Sequence, residues 1–217
     1  MKSLRRFLTE SLITEAPKPL PSSTTGLIVF DIDDTLLRVK PKDIHIWKTK
    51  DGKETALTTD EFAKDPDSAD PSAAGAKFDY REFRQPEKVW HSIINGTPLL
   101  KNLRILDDYV NAGYDFCFLT ARSCEEVVKS AIDSFLRVRR NGELQELGDA
   151  FKRTLSHAVN DETKRYPGKT DAEKKANILR ELCRTHDKVV FVDDDRKNVK
   201  AARELGIPNL SVIAANK

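Results

Sequence analysis

Long apolar runs are missing from this sequence. The longest, Gly26 to Phe30 and Phe116 to Leu119, are strand-sized and far short of the ~20 residues that a membrane-spanning helix needs. A charge of one sign is missing too. Thirty-seven Lys and Arg stand against 35 Asp and Glu, a formal net charge of +2. No overall field therefore draws the chain to nucleic acid or to a membrane surface, and any such binding must be local. Cysteine is scarce: Cys117, Cys124 and Cys183 are odd in number and fall in segments that read as strand or helix. That suits free thiols in a reducing cytosol, and a cytoplasmic location is expected.

With 217 residues, the chain is long enough for one catalytic domain with a small insertion, since domains cluster at ~100 to 200 residues. Residues 1–25 carry a short amphipathic stretch and then Pro17, Pro19 and Pro21. Proline at that density breaks a helix and leaves an extended linker, so this part is expected to be a flexible leader. It lacks the long apolar segment and small-residue cleavage site of a secretory signal, and export is not expected.

The domain proper is expected over 26–214. Its first apolar run, Gly26 to Phe30, has the continuous character of a strand buried on both faces. Further strands are expected at Tyr114 to Thr120, Phe151 to Val159, Lys188 to Val192 and Asn209 to Ala214, with helices between most of them. Ser123 with Glu126, and Thr170 with Glu173, both fit the capping box at a helix start. Strands alternating with helices predict an α/β fold with a doubly wound, Rossmann-like parallel sheet, which binds ligands beyond the carboxyl ends of its strands. Functional residues should therefore follow the apolar runs.

An insertion interrupts this rhythm at about 38–97. Ile44 and Ile46, then Asp51-Gly52, then Ala56 and Leu57 predict a β-hairpin with a tight turn. The stretch DPDSADPSAAGA that follows reads as a mobile loop before an aromatic segment, Phe78 to Trp90.

The chemistry-bearing residues stand where the sheet argument puts them. Asp31 and Asp33 follow the first strand in Phe30-Asp31-Ile32-Asp33-Asp34-Thr35-Leu36, and extended residues two apart address the same side. The second strand ends in Leu119-Thr120-Ala121-Arg122, a hydroxyl and a guanidinium just before a helix whose free amides favour an anion such as phosphate. The fourth ends in Val192-Asp193-Asp194-Asp195, where adjacent acids repel unless solvated or bound to a cation, magnesium being the obvious one. Lys174 and Lys175 lie early in the helix before this acidic strand, and an ammonium there would neutralise phosphate oxygens while pairing with the carboxylates.

Other chemistries find less support. Cys117 and Arg122 are spaced one residue too close for a cysteine-phosphatase loop. His45, His91, His157 and His186 show no metal-ligand spacing. Gly168-Lys169-Thr170 lacks the upstream glycine of a P-loop, which argues against a kinase.

The order of motifs resembles the haloacid dehalogenase (HAD) superfamily: Asp-x-Asp-x-Thr after strand one, Thr after strand two, Lys at a helix start, and paired Asp after strand four. The resemblance covers Gly26 to about Ala214. It implies an Mg2+-dependent phosphatase, a phosphoric monoester hydrolase working through an aspartyl-phosphate. Asp31 matches the nucleophile and Asp33 the general acid and base. Thr120 and Lys175 match the phosphate clamps, with Arg122 as a further substrate contact. Asp193 and Asp194, with Asp31 and the Asp33 carbonyl, match the metal ligands, and Asn198 a supporting polar position. Lys169 and Lys174 compete with Lys175, because the segment before that helix varies in the superfamily. An acid at the Asp33 position favours phosphate over dehalogenase chemistry.

In the superfamily an insertion after the first motif forms a cap that selects substrate. This one is short, so nucleotides, sugar phosphates and phosphate ends of nucleic acids all come into view, and Arg137, Arg139 and Arg140 offer a backbone contact. The opening MKSLRRFLTE resembles the leader of internal head proteins of large tailed bacteriophages, cleaved after Leu/Ile-x-Glu. Leu8-Thr9-Glu10 and Ile13-Thr14-Glu15 are candidate cuts. That resemblance implies a phage-encoded enzyme in the host cytoplasm or the capsid. The alternative is a virion protein that keeps the fold as a structural or interaction module.

Overall fold

The computed structural model describes residues 17–138 and 155–215. The candidate cleavage sites, the Arg139 and Arg140 pair, the Arg137 side chain and residues 151–154 of the expected third strand lie outside the described residues.

Five strands form one parallel sheet: β1 (Gly26–Phe30), β7 (Asp115–Thr120), β8 (Leu155–Ala158), β9 (Lys188–Asp193) and β10 (Leu210–Ala214), in the order β10-β9-β1-β7-β8. The four β1 residues Leu27 to Phe30 are at most 2% exposed, and their side chains alternate between the two faces of the sheet. Ile28 and Phe30 join a core with Phe116 and Phe118, beneath α3 (Leu100–Asn111) and α4 (Glu125–Val138). Leu27 and Val29 join Cys117, Leu119 and Phe191 on the other face, beneath α5 (Asp171–Thr185) and α6 (Arg196–Glu204). Helices on both faces satisfy strands that are apolar on both sides, so the α/β, Rossmann-like reading holds. Among the described residues no helix is long and apolar enough to cross a membrane.

Chain order reverses beside β1: β7 and β8 lie on one side, β9 and β10 on the other. A crevice therefore opens beyond the carboxyl ends of β1 and β9.

The insertion leaves and re-enters the core through a short antiparallel pair, β2 (Leu37–Arg38) with β6 (Thr97–Pro98). Within it, β3 (Ile46–Lys50) and β4 (Lys53–Leu57) form the expected hairpin. Asp51 and Gly52 both take positive φ, 51° and 73°, as a two-residue turn matched to strand twist requires. A third strand, β5 (Lys77–Asp79), pairs with β3, and α1 (Thr59–Lys64) begins with a capping box formed by Thr58 and Glu61. The Asp/Pro-rich stretch, expected as a mobile loop, contains a 3-10 turn at Pro66–Ser68. Lys48 holds it, lying 2.7 Å from both Asp65 and Asp67. The last insertion helix, α2 (Pro86–Ile94), packs against the core through Val89 and Ile93. Glu82, in the turn before this helix, holds the hairpin, accepting from the His45 amide at 2.9 Å and the Trp47 indole at 3.1 Å.

One helix start differs from expectation. Thr170 and Glu173 form their capping box, but Ser123 does not cap α4. Cys124 intervenes with φ 60°, and the Ser123 hydroxyl donates instead to the Asn160 carbonyl at 2.8 Å. The Glu125 amide donates to Asp161 at 2.6 Å, so the helix end is satisfied by a residue 36 positions away in sequence.

Candidate active site

After β1 the chain turns sharply. The Leu36 and Leu37 amides both donate to the Ile32 carbonyl, at 2.9 and 3.1 Å, and Asp34 takes a left-handed φ of 55°. The loop is fastened from two sides. The Thr35 hydroxyl accepts from the Asp194 amide and donates to its carboxylate, both at 3.1 Å. Asn102 of α3 donates to the Thr35 carbonyl at 2.8 Å.

Asp31 is 5% exposed and sits opposite the end of β9, its amide donating to the Val192 carbonyl at 2.9 Å. One oxygen each of Asp31, Asp193 and Asp194 lies within 4.8 Å of the others. Among the three competing lysines, Lys175 reaches this cluster: its buried ammonium donates to Asp31 at 2.7 Å and to Asp193 at 2.8 Å. Lys174 turns away to Asn160 at 2.6 Å, and the Lys169 amide donates to Glu173. Asn198, from the first turn of α6, donates to both Asp193 oxygens at 3.2 and 3.0 Å.

The electrostatics follow from three acids facing one ammonium. Burial raises the pKa of Asp31 well above the ordinary carboxylate range; Lys175 opposes that shift, while Asp193 and Asp33 add to it. Burial raises Asp193 as well, against Lys175. Burial alone would lower Lys175, but the charges of Asp31 and Asp193 outweigh it and its pKa rises. All three shifts belong to one buried cluster in which the acids share a single ammonium. With Lys175 counted, the three carboxylates keep a formal excess matching one divalent cation. The donor set is all oxygen, as Mg2+ prefers, and the residues fit such an ion.

Asp33 belongs to a different neighbourhood. Its side chain is 36% exposed and is gripped by Arg122, whose Nε and Nη2 donate to its two oxygens at 2.8 and 2.7 Å. The remaining guanidinium nitrogen donates to the Ser92 hydroxyl at 2.7 Å and the Val89 carbonyl at 3.3 Å. Arg122, read from sequence as a substrate contact, is thus 1% exposed and held by protein groups. The Asp33 carboxylate is not one of the three acids whose oxygens converge within 4.8 Å, although its charge is felt at Asp31. Thr120 is fully buried at the end of β7, and its hydroxyl accepts from the Arg122 amide at 3.3 Å.

No family model matches the chain, and no curated protein matches it.

Beside Asp33 opens a cleft of about 1070 Å³ between the insertion and the core, lined by Tyr80, Phe83 and Arg84 from one side and Asn160, Tyr166 and Lys174 from the other. Apart from Lys174, the sequence alone does not point to its far wall. Glu125 is the hub there, accepting from Lys164, from the Tyr166 hydroxyl at 2.7 Å and from the Ala158 amide at 3.2 Å. The available signal was Asn160-Asp161, polar residues directly after an apolar strand, the position the sheet argument marks as functional.

Proposed function

We propose that this chain is an Mg2+-dependent phosphohydrolase of the HAD type, acting on a phosphomonoester through an aspartyl-phosphate, with the insertion serving as its cap. The observation that carries this reading is the convergence of Asp31, Asp193 and Asp194 within 4.8 Å, with Lys175 bridging two of them. They arrive from stretches of chain more than 140 positions apart, which a merely structural acid pair does not require.

Asp31 attacks phosphorus, forming the Oδ–P bond as the bond to the ester oxygen breaks. Asp33 enters the cycle protonated, gives that proton to the departing oxygen and becomes the carboxylate that Arg122 grips; it then takes a proton from the water that cleaves the aspartyl-phosphate, so both half-reactions use one acid and base. Lys175 and Thr120 hold the phosphoryl oxygens. Asp31 and Asp194, with the Asp33 carbonyl and with Asp193 beside them, are the residues that would hold Mg2+, which when bound cancels the repulsion between carboxylate and phosphate dianion. Because Asp33 lines the cleft and Asp31 does not, the leaving group occupies the cleft. Its size suits something larger than a bare phosphate, and small phosphorylated metabolites, nucleotides and nucleic-acid ends all remain within this class.

The test is hydrolysis of p-nitrophenyl phosphate with and without Mg2+. Metal-dependent turnover that disappears in Asp31→Asn, with the fold retained, supports the reading. Absence of turnover in the wild-type chain overturns it and favours the structural-module alternative.

A further inference from the structure

We infer that Ser92, on the insertion helix α2, is a positioning residue for the general acid, acting on Asp33 through Arg122. The inference rests on the phosphohydrolase reading and adds a route by which the insertion governs the chemistry.

A carboxylate on a loop end, 36% exposed, has rotamers that aim it in several directions. Acid catalysis requires it within hydrogen-bond reach of the leaving oxygen. In this protein the direction is imposed by Arg122, whose planar fork matches both Asp33 oxygens and fixes the carboxylate plane. A guanidinium orients its partner only if its own other edge is held. Among the described residues, that edge hydrogen-bonds to α2. Nη1 donates to the Ser92 hydroxyl at 2.7 Å, and the same hydroxyl donates to the Val89 carbonyl at 2.9 Å. Ser92 is fully buried and Arg122 is 1% exposed, so water does not stand in for the hydroxyl. The Val89 carbonyl, at 3.3 Å, is the weaker of the two anchors.

The consequence is a chain of contacts from the cap to the acid. Glu82, in the turn before α2, holds Trp47 of the hairpin and pairs with Lys88 of α2 at 3.6 Å, α2 binds Arg122, and Arg122 aims Asp33. The reach of the insertion is therefore into the proton-transfer step, not only into the substrate cleft.

Two esters with different leaving groups separate this role from a general packing role. An alkyl phosphate needs its departing oxygen protonated, whereas p-nitrophenolate leaves with little help. Ser92→Ala is expected to lower kcat on an alkyl phosphate by about tenfold, the worth of one buried hydrogen bond to a charged group, with a several-times smaller loss on p-nitrophenyl phosphate. Arg122→Lys, which keeps the charge but not the fork, should give the same pattern more strongly. Adding Ser92→Ala to Arg122→Lys should cost nothing further, because the route is already cut. Equal losses on both esters, no loss, or additive losses overturn the inference. A wild-type chain that hydrolyses neither ester refutes the phosphohydrolase reading instead. In that event a crystal structure of Ser92→Ala decides the coupling: Asp33 in several conformers sustains it, and an unchanged Asp33–Arg122 pair overturns it.

Discussion

The ammonium of Lys175 lies 2.7 Å from Asp31, and both side chains are withdrawn from water, at 2% and 7% exposure. A lysine at the second turn of an amphipathic helix ordinarily snorkels to the surface. This one is drawn inward because Asp31 and Asp193, at the ends of neighbouring strands, leave negative charge that burial makes costly to leave unpaired.

Removing that cation should expose the cost. Lys175→Met is expected to destabilise the metal-free protein by about 3–5 kcal/mol, the penalty for leaving a buried charge without its partner. Thermal unfolding measures it. Mg2+ should restore part of the loss, and an unchanged melting point would show that the two acids are neutral in the folded protein.

The acid cluster itself predicts metal-linked stability. At Mg2+ about 100-fold above its dissociation constant, binding adds about 2.7 kcal/mol, a rise of ~5–10 °C in Tm for a chain of this size. Chelation with EDTA should reverse the rise, and Asp194→Ala should abolish it. A rise that persists in Asp194→Ala places the ion elsewhere.

On the cleft side, Tyr80 is 40% exposed and braced edge-on by Phe62 and Phe83. Under the proposed phosphohydrolase reading, such a ring offers a flat apolar surface to the leaving group. Tyr80→Ala should raise KM by about three- to tenfold for esters with large leaving groups, while kcat stays near wild type. Steady-state kinetics on a large and a small ester test this; an equal change on both would show that the ring does not meet the leaving group.

His157 makes stability depend on pH. Burial holds its pKa below the ordinary value of about 6.5, Glu125 opposing and Lys164 adding to that shift. The unfolded chain therefore binds a proton that the folded chain resists, so stability falls as pH drops below about 6.5 and is fully present above it. The Tm difference between pH 7.5 and 5.5 should shrink in His157→Gln. An undiminished difference assigns the effect to another group.

Sequence carried most of the frame, for a reason visible in particular residues. Strands such as Gly26–Phe30 and Lys188–Asp193 are buried on both faces, so the acids that break their apolar runs are conspicuous in the sequence, although Asp31 and Asp193 are themselves buried. The hairpin at Asp51-Gly52 and the cap at Thr170 were legible because each is a local event within a few residues. Long-range partnerships were not. Arg122 finds Asp33 across 89 positions and Ser92 across 30, and nothing in Thr120-Ala121-Arg122 says which anion the guanidinium meets. The same limit explains Ser123, where Asp161 displaces a cap that local spacing favours. The two-residue strands β2 and β6 are too short to carry any periodic signal.

The pairing of Leu37–Arg38 with Thr97–Pro98 means that the excursion between them starts and finishes at one doorway in the scaffold. Whatever lies beyond that doorway can be exchanged without disturbing the strands behind it only if α2 is kept, because its Val89 and Ile93 fill the core. That helix must still present a hydroxyl, or its equivalent, at the place where Ser92 now meets the guanidinium.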